Sequence, residues 1–306
     1  MRTPMLGIVE LKSLTLCKIR GLIDFRGELS GSPFFCPLYN SMHLVSIDDL
    51  DNTQIQKLFE RTEKIKQNPS KYRKKMKGKI LSNLFYEPST RTSSSFHAAM
   101  SKLGGDVISI NDVTYSSVAK GENLEDTIIT MGNYSDVIVL RSKSVGDAKN
   151  AANVSTVPII NAGDGNGEHP TQTLLDLYTI WERYGRIYNL TVTFIGDIKN
   201  GRTVRSLEKS LAKFNALHSR DTYNTKDLPK SDVYYFTRVQ KERGSEGSYK
   251  MTKEMVDKFP DDCIVMHPFP RNEEIPRWFD NDPRAKYFEQ MENGLYIRMA
   301  LLLQYK

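Results

Sequence analysis

The stretch that decides the fold runs over residues 80–105 and reads ILSNLFYEPSTRTSSSFHAAMSKLGG. Its first part, 80–86, is mostly apolar and short, which is typical of a buried strand. A polar turn follows at 87–92, and residues 94–103 predict a helix that ends at a Gly-Gly pair. A strand, a polar turn and a helix in this order predict one unit of a parallel α/β sheet.

The same alternation continues on both sides of this stretch. Ser46 and Asp49 have the spacing of a capping box and predict a helix that ends at Asn68 and Pro69. Further strands are predicted at 107–110, 137–140, 157–160, 192–195, 233–236 and 263–266, and further helices at 124–131, 171–184, 203–214, 253–258 and 296–303. Short apolar strands between amphipathic helices predict an α/β fold with two doubly wound parallel-sheet domains.

Length and composition agree with this class. The chain has 306 residues and a net charge of +6, with 39% hydrophobic and 26% charged residues. At roughly 150 residues per domain, this length predicts about two domains. No apolar stretch approaches the ~18–20 residues that span a membrane, so no membrane partner is expected.

Cysteine usage predicts a reducing compartment. The three cysteines, Cys17, Cys36 and Cys263, are odd in number and far apart, and no secretory signal peptide is recognisable. We therefore expect a cytoplasmic protein.

The basic run at 71–79 is the one candidate nucleic-acid surface. It contains five lysines and Arg73. Such a run is more often a solvated helix end than a phosphate-backbone patch. We therefore expect no nucleic-acid partner.

Polar and mainly cationic groups follow six of the predicted strands. They occupy 87–92, Arg141, 163–172, 196–203, 237–240 and 267–271. Ligands of open α/β sheets bind at the carboxyl ends of the strands. The pattern therefore predicts one shared site for an anionic ligand.

Ser89, Thr90, Arg91 and Thr92 predict a phosphate cradle. Unpaired N–H groups at a helix N-terminus attract anions, and three hydroxyls with a guanidinium add donors. The alternative is an ordinary Ser/Thr helix cap, but the nearby Arg141 favours the cradle. Neither GxxxxGK[ST] nor GxGxxG occurs, which argues against nucleoside triphosphates and dinucleotides.

His169 and Gln172 lie one helical turn apart at the start of a predicted helix. A neutral imidazole and an amide suit a carbonyl group and its attached NH2, although a lone histidine is often only a cap or core residue. The backbone carbonyls of Pro268 and Phe269 are further acceptors. Glu87, Asp164 and Asp197 form no obvious metal-binding cluster.

From about Pro37 onward, the sequence resembles the catalytic chains of the aspartate carbamoyltransferase family. The motifs that carry the resemblance are FYEPSTRTSSSF at 85–96, AKGE at 119–122, HPTQTL at 169–174, GRTV at 201–204, RVQKER at 238–243, HPFPR at 267–271 and NGLYIR at 293–298.

The resemblance implies that the protein catalyses a reaction of pyrimidine synthesis, in which carbamoyl phosphate and L-aspartate give N-carbamoyl-L-aspartate and phosphate. It implies that Ser89, Thr90, Arg91 and Thr92 hold the phosphate. Thr92, Arg141 and His169 then contact the carbamoyl oxygen, and Gln172 with the Pro268 and Phe269 backbone takes the carbamoyl NH2. Arg202, Arg238 and Gln240 bind the carboxylates of aspartate, with Arg298 as support.

The resemblance also implies a homotrimer. Ser116 and the catalytic Lys120 would reach into the site of a neighbouring subunit. The α-amino group of aspartate is itself the nucleophile, so no metal or organic cofactor is implied. Prearranged donors stabilise the charge that grows on the carbonyl oxygen.

Two other functions remain open. Ornithine carbamoyltransferases share the Ser-Thr-Arg-Thr and His-Pro-x-Gln motifs, but they typically read His-Cys-Leu-Pro where this chain has HPFP at 267–270. Arg238 would also repel a cationic amine. The second alternative is a catalytically impaired homologue that acts as a scaffold or binding partner.

The impaired homologue stays open because the second domain is short between Phe214 and Val233. The resemblance implies a strand and a helix there, and the polar segment 215–232 predicts that both are missing. We expect an extension of unknown role at 1–36 and a carbamoyl phosphate-binding domain at 37–168 with 286–306. The aspartate-binding domain is expected at 169–285.

Overall fold

Two four-stranded parallel sheets organise the part of the chain that the structure describes. The computed structural model describes residues 43–111, 121–198, 201–221, 228–239 and 249–306, so the extension at 1–36 lies outside it. The described residues belong to one compact unit that runs from Leu38 to Lys306. The predicted fold class, an α/β fold built on two doubly wound parallel sheets, is confirmed.

The first sheet has the strand order β2-β1-β3-β4, with every pair parallel. Its strands are β1 (Ile80–Phe85), β2 (Asp106–Ile110), β3 (Val137–Ser142) and β4 (Ile159–Asp164). Its helices are α1 (Asn52–Gln67), α2 (Thr90–Leu103), α3 (Leu124–Tyr134) and α4 (Asp147–Val154). Strands β3 and β4 are buried along their whole length, as expected where both faces of a parallel sheet are covered.

The second sheet has the order β6-β5-β7-β8, again all parallel. Its strands are β5 (Thr191–Ile195), β6 (Leu217–Asp221), β7 (Val233–Phe236) and β8 (Ile264–Met266). The helices of this half are α5 (Pro170–Tyr184), α6 (Arg202–Lys213), α7 (Lys253–Val256) and α8 (Tyr287–Leu302).

One hydrophobic core joins the two sheets. Helix α8 packs against α1, α2 and α5, so the end of the chain returns to the helices of the first half. The core contains Leu81 and Val139 from the first sheet and Val192 and Tyr235 from the second. Residues at the carboxyl ends of strands from both sheets line a common cavity. None of the described helices combines the length and the hydropathy that a membrane span requires.

The starts of α1 and α2 differ from the predicted ones, whereas α3 begins at Leu124 as predicted. The Ser46–Asp49 capping box is present, but it closes a short 3-10 turn, and α1 begins after a second box made by Asp51 and Gln54. Helix α2 begins at Thr90 rather than at Ser94. The short helix α4 was not predicted. In each case polar residues belong to the first turn, which apolar periodicity does not detect.

The prediction that the last helix follows Gly294 is wrong, because α8 runs through this glycine. A Cβ atom at residue 294 would lie 2.5 Å from Nη1 of Arg298 and 3.1 Å from Cδ2 of Leu175. The glycine therefore provides room for the Arg298 guanidinium and does not end the helix.

The prediction of a missing strand between Phe214 and Val233 is also wrong, because β6 occupies part of this segment. It pairs in parallel with β5 from Leu217 to Asp221. Its residues 217–220 are exposed, as fits an edge strand, and Ser219 is 2.8 Å from the Thr193 hydroxyl. Residues 228–232, the described part of the connection to β7, contain no helix.

Candidate functional site

A cavity of about 760 Å³ lies where the strand ends of both sheets meet. The turns after β1, β7 and β8 line it, together with the first turns of α2, α5 and α6 and one face of α8. Three helices of eleven or more residues thus direct their N-termini at one space. Each N-terminus carries a partial positive charge, so the cavity favours anions.

The structure brings together every predicted site residue that it describes. The cavity is lined by Ser89, Thr90, Arg91, Thr92, Arg141, His169, Gln172, Arg202, Arg238, Pro268, Phe269 and Arg298. The remaining predicted residues, Ser116, Lys120 and Gln240, lie outside the described residues.

The geometry of the predicted phosphate cradle argues against an ordinary helix cap. Ser89 is the N-cap residue of α2, but its side chain makes no capping hydrogen bond. Thr90, Arg91 and Thr92 form the first turn, where backbone N–H groups have no helical acceptor. The hydroxyls, the guanidinium and these N–H groups are donors for a tetrahedral anion.

Arg91 and Arg238 bring positive charge to the cavity from the two sheets. Burial and the charge of Arg238 together lower the pKa of Arg91. The two guanidinium charges therefore repel each other unless a bound anion neutralises them. This arrangement fits a site for two anionic groups.

Glu87 lines the cavity and pairs with two arginines, a role that its sequence position did not reveal. Its carboxylate accepts hydrogen bonds from Arg141 Nη2 at 3.1 Å and from Arg202 Nη1 at 2.9 Å. Burial acts to raise the pKa of Glu87, but Arg202 and Arg141 outweigh it and hold the pKa below its usual value. Glu87 lies two residues before the cradle, in the turn after β1. The signal that could have found it is a carboxylate among cationic groups that follow strands.

This bridge positions both arginines. Arg141 lies at the end of β3 and Arg202 at the start of α6, so Glu87 links the two halves of the site. Arg202 also donates to the Gly165 carbonyl at 2.7 Å, and its guanidinium lies against Gly163. A guanidinium has five donors, so each arginine keeps donors beyond those that Glu87 uses.

His169 is a buried, neutral imidazole. Its backbone N–H donates to the Ser206 hydroxyl at 3.2 Å, and its Nδ1 lies 3.3 Å from the Thr171 hydroxyl. Burial, followed by the charges of Arg202, Arg141 and Arg298, lowers its pKa well below 6.5. A neutral ring has one N–H donor, which suits a carbonyl oxygen better than a proton-transfer role near pH 7.

The loop after β8 is held by the His267 side chain. His267 Nδ1 accepts from the Phe269 N–H at 2.9 Å, so Nε2 carries the ring proton and donates to Glu274 at 2.8 Å. Phe269 has a φ of +53°, and its bond to Pro270 is cis. These contacts hold the backbone of Pro268 and Phe269 at the cavity wall.

Arg298 supports the cavity floor from α8. Its guanidinium lies 5.2 Å from the Phe96 ring centroid, in cation–π geometry. Burial, opposed by Asp176, lowers its pKa to about 10, so it stays protonated at neutral pH.

Fold and site together define a class: a two-sheet α/β protein that binds anionic ligands at facing strand ends. Two family descriptions match the chain. The aspartate/ornithine carbamoyltransferase carbamoyl-P binding domain matches residues 42–182, and the Asp/Orn binding domain matches residues 222–305. The chain belongs to the aspartate/ornithine carbamoyltransferase family, as the sequence motifs indicated.

Individual relatives agree with this assignment. The aspartate carbamoyltransferase catalytic subunit of Alkaliphilus oremlandii is 41% identical over 85% of this chain and 89% of its own length. The catalytic subunit of M. jannaschii aspartate transcarbamoylase is 41% identical, with a TM-score of 0.78 over 87% of this chain and 98% of that structure. Trypanosoma cruzi aspartate transcarbamoylase, solved with carbamoyl aspartate and phosphate, is 36% identical, with a TM-score of 0.78 over 85% and 94%.

Proposed function

We propose that this chain transfers the carbamoyl group of carbamoyl phosphate to the amino group of L-aspartate. The products are N-carbamoyl-L-aspartate and phosphate, in pyrimidine biosynthesis. The observation that carries the proposal is one cavity with a phosphate-type cradle on α2 and a second cationic wall at Arg202 and Arg238. The relatives named above act on, or were solved with, the same compounds.

Carbamoyl phosphate is bound on the side of the first sheet. Its phosphate lies in the cradle formed by residues 89–92. Thr92, Arg141 and His169 donate hydrogen bonds to the carbamoyl oxygen, while Gln172 and the carbonyls of Pro268 and Phe269 accept from the NH2 group. Donors fixed around the oxygen stabilise the charge that develops there in the transition state.

Aspartate is bound on the side of the second sheet, with its carboxylates at Arg202, Arg238 and Gln240. Its amino group attacks the carbamoyl carbon with its lone pair, and the carbon–oxygen bond to phosphate breaks. The phosphate leaves with the bonding electrons and takes the amine proton. Holding both substrates in one cavity supplies much of the rate enhancement.

The neutral state of His169 gives a pH prediction. We expect His169→Asn, which keeps an N–H donor, to retain about tenfold more activity than His169→Ala. Because the His169 pKa lies well below 6.5, the ratio of wild-type to His169→Asn kcat stays constant from pH 6.5 to 9. Steady-state kinetics across this range test it. A ratio that changes with pH within this range would show that the ring titrates there and does not act only in its neutral form.

The choice of amine separates the proposed reaction from its alternatives. Purified protein is incubated with carbamoyl phosphate and either L-aspartate or L-ornithine, and the ureido product is identified. We expect carbamoyl aspartate, because Arg238 attracts a carboxylate and repels an ammonium group. Citrulline would contradict this role of Arg238. A folded protein that forms neither product would be an impaired homologue.

We also propose a homotrimer whose active sites are shared between subunits, with Ser116 and Lys120 contributed by a neighbour. The same half of the chain exposes Ile129, Tyr134 and Val145, which are large apolar side chains at 49%, 58% and 66% exposure. Contact between subunits would cover such side chains.

Mixing two inactive variants tests the shared site. Lys120→Ala and Arg141→Ala are each expected to have little activity. Dissociating and reassembling them together restores part of it, because some sites then combine an intact Lys120 with an intact Arg141. Sedimentation should give about three times the chain mass of 35.0 kDa. A monomer, or a mixture that stays inactive after reassembly, would contradict the proposal.

Two further assignments accompany this function. We assign 37–168 with 286–306 to the carbamoyl phosphate-binding domain and 169–285 to the aspartate-binding domain, supported by the packing of α8 on α1 and α2. We also assign the protein to the cytoplasm, where the buried free thiol of Cys263 would stay reduced.

A further inference from the structure

Asp176 is a carboxylate with no solvent exposure, one helical turn beyond Gln172 on α5. Its Oδ1 accepts hydrogen bonds from the side-chain amide nitrogens of Gln172 at 2.8 Å and Gln290 at 2.7 Å. Its Oδ2 accepts from the Tyr235 hydroxyl at 2.8 Å. One buried carboxylate therefore binds three donors, which come from α5, α8 and β7.

These bonds decide which way two side-chain amides face. An amide has NH2 on one side and oxygen on the other, so an NH2 that points at Asp176 turns the oxygen away from it. The Gln290 oxygen accepts the His267 backbone N–H at 2.9 Å, just before Pro268 and Phe269. The Gln172 side chain lines the cavity, and its oxygen is the atom left to accept a hydrogen bond there.

We propose that Asp176 is a positioning residue that turns the carbamoyl NH2 site into a set of acceptors, by orienting Gln172 directly and the 268–269 backbone through Gln290. The inference rests on the proposed function, in which these groups bind the NH2 of carbamoyl phosphate. Asp176 does not line the cavity and acts through its neighbours.

The ionised carboxylate is the form that fits three donors. In a protonated carboxyl, Oδ2 donates to the Tyr235 oxygen instead of accepting from it, and the neutral Oδ1 is a weaker acceptor for the two amides. Burial raises the pKa of Asp176 to about 7, against the hydrogen bonds from Gln290, Tyr235 and Gln172 and the charge of Arg298. Tyr235 stays neutral, since burial raises its pKa well above 10. Its hydroxyl also forms a hydrogen bond with the Thr203 side chain of α6.

Above about pH 7 Asp176 is charged and holds the two amides firmly in this orientation. As the pH falls through 7 it is protonated, and its hold on the two amides weakens. Recognition of the carbamoyl group therefore weakens on the acid side, while phosphate recognition by the cradle does not depend on Asp176.

The test compares carbamoyl phosphate with inorganic phosphate, because only the first has an NH2 group. Both affinities are measured by calorimetry on the full chain, for wild type and for Asp176→Asn. We call the ratio of the carbamoyl phosphate affinity to the phosphate affinity the preference for carbamoyl phosphate. At pH 8 we expect this preference to fall about tenfold in the variant, with the phosphate affinity unchanged. An unchanged preference in the variant would overturn the inference.

The pH dependence separates positioning from simple structural support. Dividing the wild-type preference by that of Asp176→Asn cancels the ionisation of the ligands themselves. This quotient is expected to fall toward one between pH 8 and pH 6. A quotient that does not change with pH, or an equal loss of both affinities, would show that Asp176 only supports the fold.

Tyr235→Phe is the second variant and keeps the carboxylate. Removing a donor to the charged form raises the Asp176 pKa, so the preference is lost at a higher pH than in wild type. This variant decides the question if Asp176→Asn does not fold, and an unshifted profile would overturn the inference. A wild-type protein that binds neither ligand would overturn the proposed function, and the inference with it.

Discussion

Replacing Arg141 by alanine is expected to lower kcat by about 10²–10³-fold, which is typical for the loss of one oxyanion donor. Arg141 is 9% exposed at the end of β3 and lines the cavity. In a site with little water, a guanidinium aimed at a developing negative charge is worth much more than on the surface. Steady-state kinetics at saturating carbamoyl phosphate and aspartate measure the effect.

The fold should survive this substitution. Glu87 keeps its hydrogen bonds to Arg202, at 2.9 and 3.3 Å, so its half-buried charge is still paired. Arg186→Ala is the matched control, since Arg186 is exposed and lies outside the cavity lining. It should leave kcat unchanged and keep the melting temperature. An Arg141→Ala protein with kcat within about threefold of wild type would contradict the role of Arg141.

Replacing Arg238 by alanine is expected to lower kcat/KM for aspartate by about 10- to 100-fold, the usual cost of a lost charged hydrogen bond. The loss falls mainly on KM, because Arg238 holds a carboxylate that does not react. The affinity for inorganic phosphate should not weaken, because removing Arg238 relieves the charge that lowers the Arg91 pKa. Initial rates against aspartate concentration and phosphate titrations measure the two effects.

Arg238→Lys is the conservative partner of this variant. It keeps the charge without the planar fork, so it should lie between wild type and alanine. Weaker phosphate binding in Arg238→Ala would instead place Arg238 at the phosphate. An unchanged KM for aspartate would remove it from the aspartate site.

The sequence was sufficient for the parts of the fold that repeat a local pattern. Buried parallel strands are continuous apolar runs, so β7 was predicted at its observed bounds. The site residues follow such strands, and strand ends of parallel sheets meet at one edge. The grouping of the arginines could therefore be predicted without coordinates.

Features that depend on tertiary neighbours could not be predicted in the same way. Strand β6 lies at the sheet edge, and its residues 217–220 are exposed. It therefore has no apolar pattern from which a strand could be predicted. Gly294 looked like a helix break because glycine often ends helices. Its reason for standing inside α8, the Arg298 guanidinium packed against it, is visible only in the folded structure. The same holds for Glu87 between two arginines and for Asp176, whose three donors come from three elements.

A crystal structure of the full chain with N-carbamoyl-L-aspartate and phosphate tests the central claim most directly. We expect phosphate at the N-terminus of α2, on residues 89–92, and the two carboxylates at Arg202 and Arg238. The ureido oxygen is predicted at Arg141 and His169, and its NH2 at the Gln172 oxygen. Phosphate bound away from α2, or carboxylates that avoid both arginines, would contradict the account.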